Sequence, residues 1–304
     1  MKRRFPKVFI IILTYNNKSE YFACLESLKK LDYPNFEVLI IDNASKDGTA
    51  SLIKKDFPFF KLIENKRNLG FAKGNNLGIK YALKRGAEWI CLLNSDTVVK
   101  SDFLQKMFQV ALKENADLLG PKILYHKSDL IWAAGGQVNL LTGVTKHLFG
   151  GKKSASVPQR EYQADYLPFC AVLIKSEVFR KIGFIDPDYF LLFEDTDFCL
   201  RAKRAGFKLL VVPSAIIWHR VSSSFKGTHS PLYLYYFTRN KILFMRKNAP
   251  IFFWFIFFWS FWLLFFKEMF IILYKQFNFP EKEERLSAMW RGLIDGLLNK
   301  VGRK

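Results

Sequence analysis

The chain has 304 residues, half of them hydrophobic, which suffices for one large α/β domain with an appendage or for two modest domains. Its formal net charge of +20 predicts an anionic partner, which could be nucleic acid, an anionic membrane face or a phosphorylated ligand. The four cysteines form no C-x-x-C pair, so we expect reduced core thiols and exclude a disulfide framework or a zinc site of that kind.

The first 125 residues alternate strand and helix signals. Residues 1–4 resemble the basic start of a signal peptide, but no small-residue cleavage site follows the short apolar run 8–13, so we predict a first β-strand there. The alternation predicts a mostly parallel sheet with helices on both faces. Further strands are predicted at 36–41, 60–63, 88–93 and 118–124, and helices at 18–31, capped by Asn17 or Ser19, at 70–85 and at 102–114.

Polar clusters follow three of the predicted strands, at residues 14–17, 42–43 and 94–96. In open α/β sheets, ligands bind outside the carboxyl ends of the strands. Three clusters at the same edge of one sheet therefore predict a shared binding site.

Asp96 is the first candidate for chemistry. It closes the segment Asn94-Ser95-Asp96 after a buried strand, where a carboxylate can hold Mg²⁺ or Mn²⁺ against a diphosphate. Taken alone, an Asp after a strand is more often a turn residue or a helix cap. Asp42 and His219 adjoin buried or apolar segments, and such residues taken alone are more often satisfied parts of the core.

The second candidate is the acidic segment that begins with Glu194 and Asp195, at the start of a predicted helix over residues 194–205. Stabilisation of the helix dipole explains one or two carboxylates at a helix start. The preceding apolar run 189–193 places these acids beside hydrophobic surface, where a carboxylate can act as a general base.

Together these residues resemble the family 2 glycosyltransferases, which have the GT-A fold, an α/β fold of nucleotide-diphospho-sugar transferases. The resemblance covers roughly residues 8–248, and Asn94 stands where the metal motif often has its first acid. Residues 235–240 replace the Gln-x-x-Arg-Trp motif of processive synthases, which favours the addition of a single sugar. The matching motifs lie at residues 11–17, 42–49, 68–76, 94–96, 194–201 and 218–219.

The resemblance implies a role for each candidate residue. Asp195 would deprotonate the acceptor hydroxyl, and Glu194 would shape the surroundings of that base. Asp96 would ligate a divalent cation, Mg²⁺ or Mn²⁺, with His219 as a further ligand. The nucleotide would be bound by Asp42, Thr14, Tyr15 and Asn16 around the base, by Asn68, Lys73 and Asn75 near the ribose or the phosphates, and by Ser95.

The C-terminal part has a different character. Residues 251–266 are apolar all round except for Ser260, and residues 269–274 resume the run after Lys267 and Glu268. The first run is short of the ~20 residues that span a bilayer, and basic residues flank both ends, which favours a re-entrant or interfacial anchor over a single crossing near 251–274. A buried core or dimer helix is the alternative, and a basic amphipathic helix follows at 286–301.

These patterns predict a GT-A catalytic domain over residues 1–229, with a nucleotide-binding half (1–125) and an acceptor half (126–229), and a helical membrane-associated region over 230–304. The resemblance implies an inverting enzyme at the cytoplasmic face of the membrane that transfers one sugar, of rhamnosyl type, from a nucleotide-diphosphate sugar to a glycan or lipid-linked acceptor. A polyprenyl-phosphate glycosyltransferase and a non-catalytic basic membrane-binding module are the alternatives. Nucleic acid is not an expected partner, because no nucleic-acid-binding motif is recognisable.

Overall fold

The computed structural model describes residues 5–221, 230–275 and 282–304, and the basic residues 1–4 lie outside them. The strands of these ranges are β1 Val8–Thr14, β2 Phe36–Asp42, β3 Lys61–Glu64, β4 Trp89–Asn94, β5 Thr97–Val99, β6 Leu118–Tyr125, β7 Ile131–Ala133, β8 Gly136–Asn139, β9 Val144–His147, β10 Tyr162–Gln163, β11 Ala171–Lys175 and β12 Leu209–His219. The α-helices are α1 Tyr21–Leu28, α2 Thr49–Asp56, α3 Gly70–Lys84, α4 Phe103–Glu114, α5 Ser176–Ile182, α6 Glu194–Arg204, α7 Pro231–Asn248, α8 Trp254–Phe270 and α9 Lys282–Leu297.

One large sheet forms the centre of the molecule, with the strand order β10-β12-β6-β11-β4-β1-β2-β3. The first four strands run parallel to one another, and β12 runs parallel to β6. Strand β11 lies between β4 and β6 and is antiparallel to both. The predicted α/β architecture is confirmed, with β11 as the antiparallel strand that joins the two parallel parts.

The core lies on both faces of this sheet. In β1, Ile10 and Ile12 belong to one apolar cluster, whereas Phe9 and Ile11 belong to the cluster on the other face. Successive side chains of a strand point to opposite faces, so a central strand covered on both sides needs an unbroken apolar run. This explains why β1 resembles the apolar segment of a signal peptide.

The predicted start of the first helix is wrong. Helix α1 begins at Tyr21, and its N-cap residue Glu20 makes no side-chain capping bond. The backbone carbonyl of Asn17 accepts from the N–H groups of Glu20 and Tyr21, while the Asn17 side chain donates to Ser95 Oγ at 2.6 Å. The Asn17 amide, which was expected to cap the helix, instead links the segment after β1 to the segment after β4.

The cysteine prediction is confirmed: Cys24, Cys91, Cys170 and Cys199 are all buried and free. Each lies in or beside the apolar clusters of the sheet, and none has a partner sulfur.

Helices α7, α8 and α9 pack together beside the α/β body around a third apolar cluster. Helix α7 is held to the body by the buried Arg239, whose guanidinium donates to the backbone carbonyls of Asp188 and Gly302. The segment Ile251–Leu273, 23 residues with a mean hydropathy of 1.9, could cross a membrane by length and composition. The division into 1–229 and 230–304 stays a prediction.

Candidate active site

The predicted clusters meet at one edge of the sheet. Thr14, the last residue of β1, lies opposite Asp42 at the end of β2. On the other side of β1, Leu13 lies opposite Asn94 at the end of β4. Parallel pairing in register thus brings the polar segments after β1, β2 and β4 side by side.

The loops after β1 and β2 hold each other in place. The Asp42 carboxylate accepts from the Ser45 backbone N–H at 2.9 Å and from its hydroxyl at 2.5 Å. Asn16 adopts a left-handed conformation, with a φ of 49°, its N–H donates to Ser45 Oγ, and its side-chain oxygen accepts from the Lys46 N–H. Thr14 Oγ1 is buried and meets no hydrogen-bond partner among the described residues. The loops after β1 and β2 are therefore fixed by their own hydrogen bonds, and Thr14 Oγ1 is left as a polar atom that could bind a ligand.

The residues expected near the ribose and phosphates divide into two groups. Lys73 is exposed in the first turns of α3, where a cation can reach a phosphate. The Asn68 side chain accepts from the Gly70 N–H and from the Asn43 amide. The buried Asn75 amide donates to the Phe71 carbonyl within its own helix. The structure gives both asparagines partners within the fold.

Asp96 and His219 come together although 123 positions separate them in the chain. The short strand β5 pairs antiparallel with the end of β12, so that His219 lies opposite Thr97, the residue after Asp96. His219 Nε2 lies 3.2 Å from Asp96 Oδ1, and both side chains are buried. Burial disfavours the imidazolium, but the Cys170 thiol and the Asp96 carboxylate outweigh it and raise the pKa of His219 to about 10.

This pair supplies few donors for a metal. In the described part of the chain, no group of three His, Cys, Asp or Glu side chains could hold a metal ion. Magnesium in nucleotide sites is usually bound by one or two carboxylates, with substrate phosphates and water as the other ligands. Asp96 fits an ion that is held jointly with the phosphates of a nucleotide, and His219 would join it on releasing the proton that its raised pKa retains. The pair does not fit a resident metal centre.

The acidic segment begins helix α6 after an unusual backbone. Leu192 and Phe193 have φ values of 70° and 72°, and two consecutive non-glycine residues in this region are strained. The two residues turn the chain so that Glu194 opens the helix with Asp195 beside it in the first turn. Such strain persists only where the surroundings hold it, and it clusters at active sites.

The two acids differ in their surroundings. Asp195 is half-buried, and one of its oxygens accepts from the Thr196 N–H at 2.6 Å and from the Thr196 hydroxyl at 3.1 Å. Burial raises the pKa of Asp195 to about 6 against these hydrogen bonds, which favour the carboxylate. Glu194 is buried, its Oε2 has no hydrogen-bond partner among the described residues, and burial followed by the charge of Asp195 raises its pKa well above the usual range. Asp195 is therefore the better base at neutral pH.

Asp197, in the same helix, is a carboxylate with a structural role. It is buried and accepts from Arg201 Nε at 2.8 Å, from the Asn248 amide at 2.8 Å and from the Tyr189 hydroxyl at 3.3 Å. All its partners lie within the fold, so nothing in its surroundings calls for a ligand.

Cys170 lies between the Asp96–His219 pair and Asp195 of α6. It directly precedes β11, and its carbonyl accepts from the Asn94 N–H. Burial raises the pKa of Cys170, His219 opposes this shift, and the charges of Asp96 and Asp195 add to it. One buried thiol thus lies within electrostatic range of both the donor-side pair and the acid of α6.

Sequence reasoning missed Cys170 and also two aromatic residues of the site. The rings of Trp132 and His219 lie 4.8 Å apart between centroids, and those of Trp132 and His147 lie 4.4 Å apart. Burial and the positive charge of His219 lower the pKa of His147 to about 4, so this imidazole is neutral. The one sequence signal for this region is the glycine-punctuated pattern over residues 130–151, which indicates either a hairpin insertion or a mobile loop.

Known proteins support the same assignment. RfbF, a dTDP-rhamnosyl transferase from Shigella flexneri, is 27% identical over 79% of this chain and 80% of its own length. An N-acetylglucosaminyl-diphospho-decaprenol L-rhamnosyltransferase from Mycobacterium tuberculosis is 23% identical over 71% of this chain and 76% of its own. The structure of the mannosyltransferase PcManGT from Pyrobaculum calidifontis, in complex with GDP-Man and Mn²⁺, superimposes with a TM-score of 0.61 at 14% identity, over 98% of this chain and 89% of that one.

The mixed sheet and the polar edge at its strand ends define a GT-A glycosyltransferase. The chain belongs to glycosyl transferase family 2, whose model matches residues 9–183, and it is an enzyme of that class. Asp96 lies within the matched residues, whereas Glu194, Asp195 and His219 lie beyond them. The roles of these three therefore depend on the geometry described above.

Proposed function

We propose that the chain is an inverting glycosyltransferase that moves one sugar from a nucleotide-diphosphate sugar to a hydroxyl group of a glycan or lipid-linked acceptor in cell-surface polysaccharide synthesis. The observation that carries this proposal is the convergence of Asp96 and His219 with Asp195 around Cys170. An acid on the donor side and a separate base on the acceptor side are what a single displacement needs. The names of the relatives support a rhamnosyl donor.

The reaction follows from this arrangement. Asp195 takes the proton of the acceptor hydroxyl while that oxygen forms a bond to the anomeric carbon of the donor. The bond from this carbon to the diphosphate breaks, and the nucleoside diphosphate leaves with the electron pair, so the configuration inverts. A divalent cation, Mg²⁺ or Mn²⁺, would be held by Asp96 and His219 and would neutralise charge on the leaving diphosphate.

The donor nucleotide would lie along the strand-end edge. Asp42 and the segment Thr14–Asn16 would surround the base, while Lys73 and Ser95 would face the phosphates. Asn68 and Asn75, which we expected to touch the nucleotide, would act by holding the loop and the helix that form this wall.

The enzyme would work at the cytoplasmic face of the membrane, where nucleotide sugars are available, with helices α7–α9 as its membrane-associated part. The exposed apolar residues of α8 support this location. A lipid-linked acceptor would then meet the site at the membrane surface.

A donor screen tests the proposal. The purified full chain is incubated with Mn²⁺ and a panel of nucleotide sugars that includes dTDP-rhamnose, and release of nucleoside diphosphate is measured together with the melting temperature. We expect release and a rise in melting temperature with one nucleotide class, lost in Asp96→Asn and kept in Asp129→Asn, a change at an exposed acid. No release and no thermal shift with any donor would refute the proposal.

A further inference from the structure

The helical part contains an apolar cavity of about 400 Å³, within the size range of small-molecule sites. It lies between α7, α8, α9 and strand β9, and most of its wall is apolar, with Leu234, Phe261 and Leu264 among the lining residues. The turn of the β8–β9 hairpin closes one side, because Ser260 of α8 donates to the Thr142 carbonyl. A hydrocarbon chain would find a matching surface in this cavity.

One buried cation, Lys241, lines this cavity. Lys241 is 5% exposed and lines the cavity, and it makes no hydrogen bond or ion pair with any residue that the structure describes. Its stem packs against the hairpin, since a Cβ at Gly143 would lie 3.1 Å from Lys241 Cε. Burial alone lowers the pKa of Lys241 to about 8, and no carboxylate offsets it, although Glu268 lines the same cavity.

An unpaired buried ammonium is costly and calls for an anion. The other polar side chains of the cavity are Thr145, Tyr233, Thr238, Lys267 and Glu268, so the wall carries two lysines and one acid. An apolar cavity with a buried cation is complementary to an amphiphile with a hydrocarbon chain and an anionic head. A neutral lipid would leave Lys241 unpaired, and a free phosphate would leave the apolar wall uncovered.

The cavity also adjoins the catalytic acids. Phe237, which lines it, lies 5.5 Å from Phe193 between ring centroids, and Phe193 directly precedes Glu194. The wall of the cavity therefore packs against the residue that leads into α6.

We propose that this cavity binds the acceptor substrate through its lipid part, a long-chain lipid phosphate or diphosphate, with Lys241 paired to the phosphate. This inference rests on the proposed function and specifies its acceptor class. Lys241 is a binding residue here and takes no part in the sugar transfer itself.

The test measures binding of polyprenyl phosphate and of the polyprenol of the same length, in detergent, by titration of intrinsic tryptophan fluorescence of the full chain. Because a hydrogen bond to a charged group is among the stronger ones, the wild type should prefer the phosphate about tenfold or more. Lys241→Met should lose this preference and still bind the polyprenol. Lys241→Arg should keep it, as should the control Lys146→Met, an exposed lysine on the same hairpin that does not line the cavity.

Three results would overturn the inference: a wild type that does not distinguish phosphate from alcohol, a Lys241→Met variant that keeps the preference, or phosphatidylglycerol micelles that compete as well as polyprenyl phosphate. The last result would make the cavity a site for bulk membrane lipid. The first result needs no variant, so the test does not depend on how Lys241→Met folds. The thermal shift with nucleoside diphosphate and Mn²⁺ is measured on the same samples, and its absence in the wild type would count against the proposed function alone.

Discussion

Three acids in the first turn of α6 look alike in the sequence, yet their surroundings give them different tasks. Asp197 is fully engaged by Arg201 and by other groups of the fold, Glu194 is buried where its charge is disfavoured, and Asp195 keeps partial access to solvent. Only Asp195 combines access with a carboxylate that is ionised at neutral pH. This contrast supports Asp195 as the proposed base.

The raised pKa of Asp195 predicts a pH dependence of turnover. The base must be deprotonated, so its active form is lost as the pH falls through about 6. We expect kcat at saturating donor and acceptor to be nearly constant above pH 7 and to fall about tenfold per pH unit well below 6, measured as nucleoside diphosphate release. A kcat that stays constant down to pH 4.5 would exclude Asp195 as the base.

At the residue scale, the sequence could predict groups that have a motif. Asp96 and Asp195 could be proposed because a carboxylate after a strand or at a helix start has a recognisable chemical use. Cys170 and Trp132 were missed because neither lies in a motif, and their positions follow from strand β11 and from the pairing of β7 with β6. The role of Asn75 stays a prediction, and its amide donates to the Phe71 carbonyl within its own helix.

At the scale of elements, the contact between helix α3 and the segment before α6 joins the proposed donor side to the proposed acceptor side. Gly70 begins α3 with a φ of 80°, and the next residue, Phe71, donates its N–H to the Phe190 carbonyl at 2.8 Å. A Cβ on Gly70 would lie 2.6 Å from that carbonyl oxygen. Glycine is required here by the backbone conformation and by the close approach.

Gly70→Ala should therefore destabilise the protein. The left-handed conformation costs roughly 1–2 kcal/mol for a residue with a Cβ, and the overlap with Phe190 adds about 1–3 kcal/mol. Gly86→Ala is the matched control, because Gly86 has a φ of 76° and nothing lies within 4 Å of its added Cβ. Urea unfolding should show a larger loss for Gly70→Ala, and equal losses would contradict a tight α3 contact.

The sequence predicted most elements of the sheet because their apolar runs and turn residues are local signals. It could not predict the pairing of β5 with β12, which brings His219 to Asp96, because that contact joins segments that are far apart in the chain. Nor did it indicate that β11 enters the sheet antiparallel between β4 and β6. Strand order and direction are set by tertiary packing.

At the scale of the whole molecule, α8 explains how an apolar helix can serve a catalytic body. Its residues Phe257, Phe261 and Phe265 are buried against the other helices. The opposite face is exposed, with Phe255 at 74% and Trp259 at 68%. A helix with one face on the protein and an apolar face outward suits an interfacial position. Composition alone could predict an apolar helix there, but not which face is free.

Replacing Phe255, Trp259 and Leu263 by Ser should weaken binding to anionic lipid vesicles. Full burial of such a side chain contributes about 1.5–3 kcal/mol, so even partial insertion of three predicts a loss of about a hundredfold, roughly 3 kcal/mol in total. Vesicle co-sedimentation measures the effect. The basic surface should make the residual binding fall further with added salt.

The matched control replaces three exposed apolar residues of the catalytic body, Phe22, Phe59 and Leu112, by Ser. This variant should sediment with vesicles as the wild type does. If the two triple variants lose binding equally, the exposed face of α8 is not the membrane contact. The proposed division of the chain at residue 230 would then lose its functional basis.

The central claim is that Asp195 activates an acceptor hydroxyl while the Asp96 edge holds the donor. Its most direct test is the steady-state kinetics of Asp195→Asn with the donor that the screen identifies, beside Asp129→Asn as control. Asp195→Asn should lower kcat by about 10²–10⁴-fold and leave the thermal shift caused by nucleoside diphosphate and Mn²⁺ unchanged. A kcat within threefold of wild type would contradict the claim and would favour an acceptor that needs no base, such as a lipid phosphate.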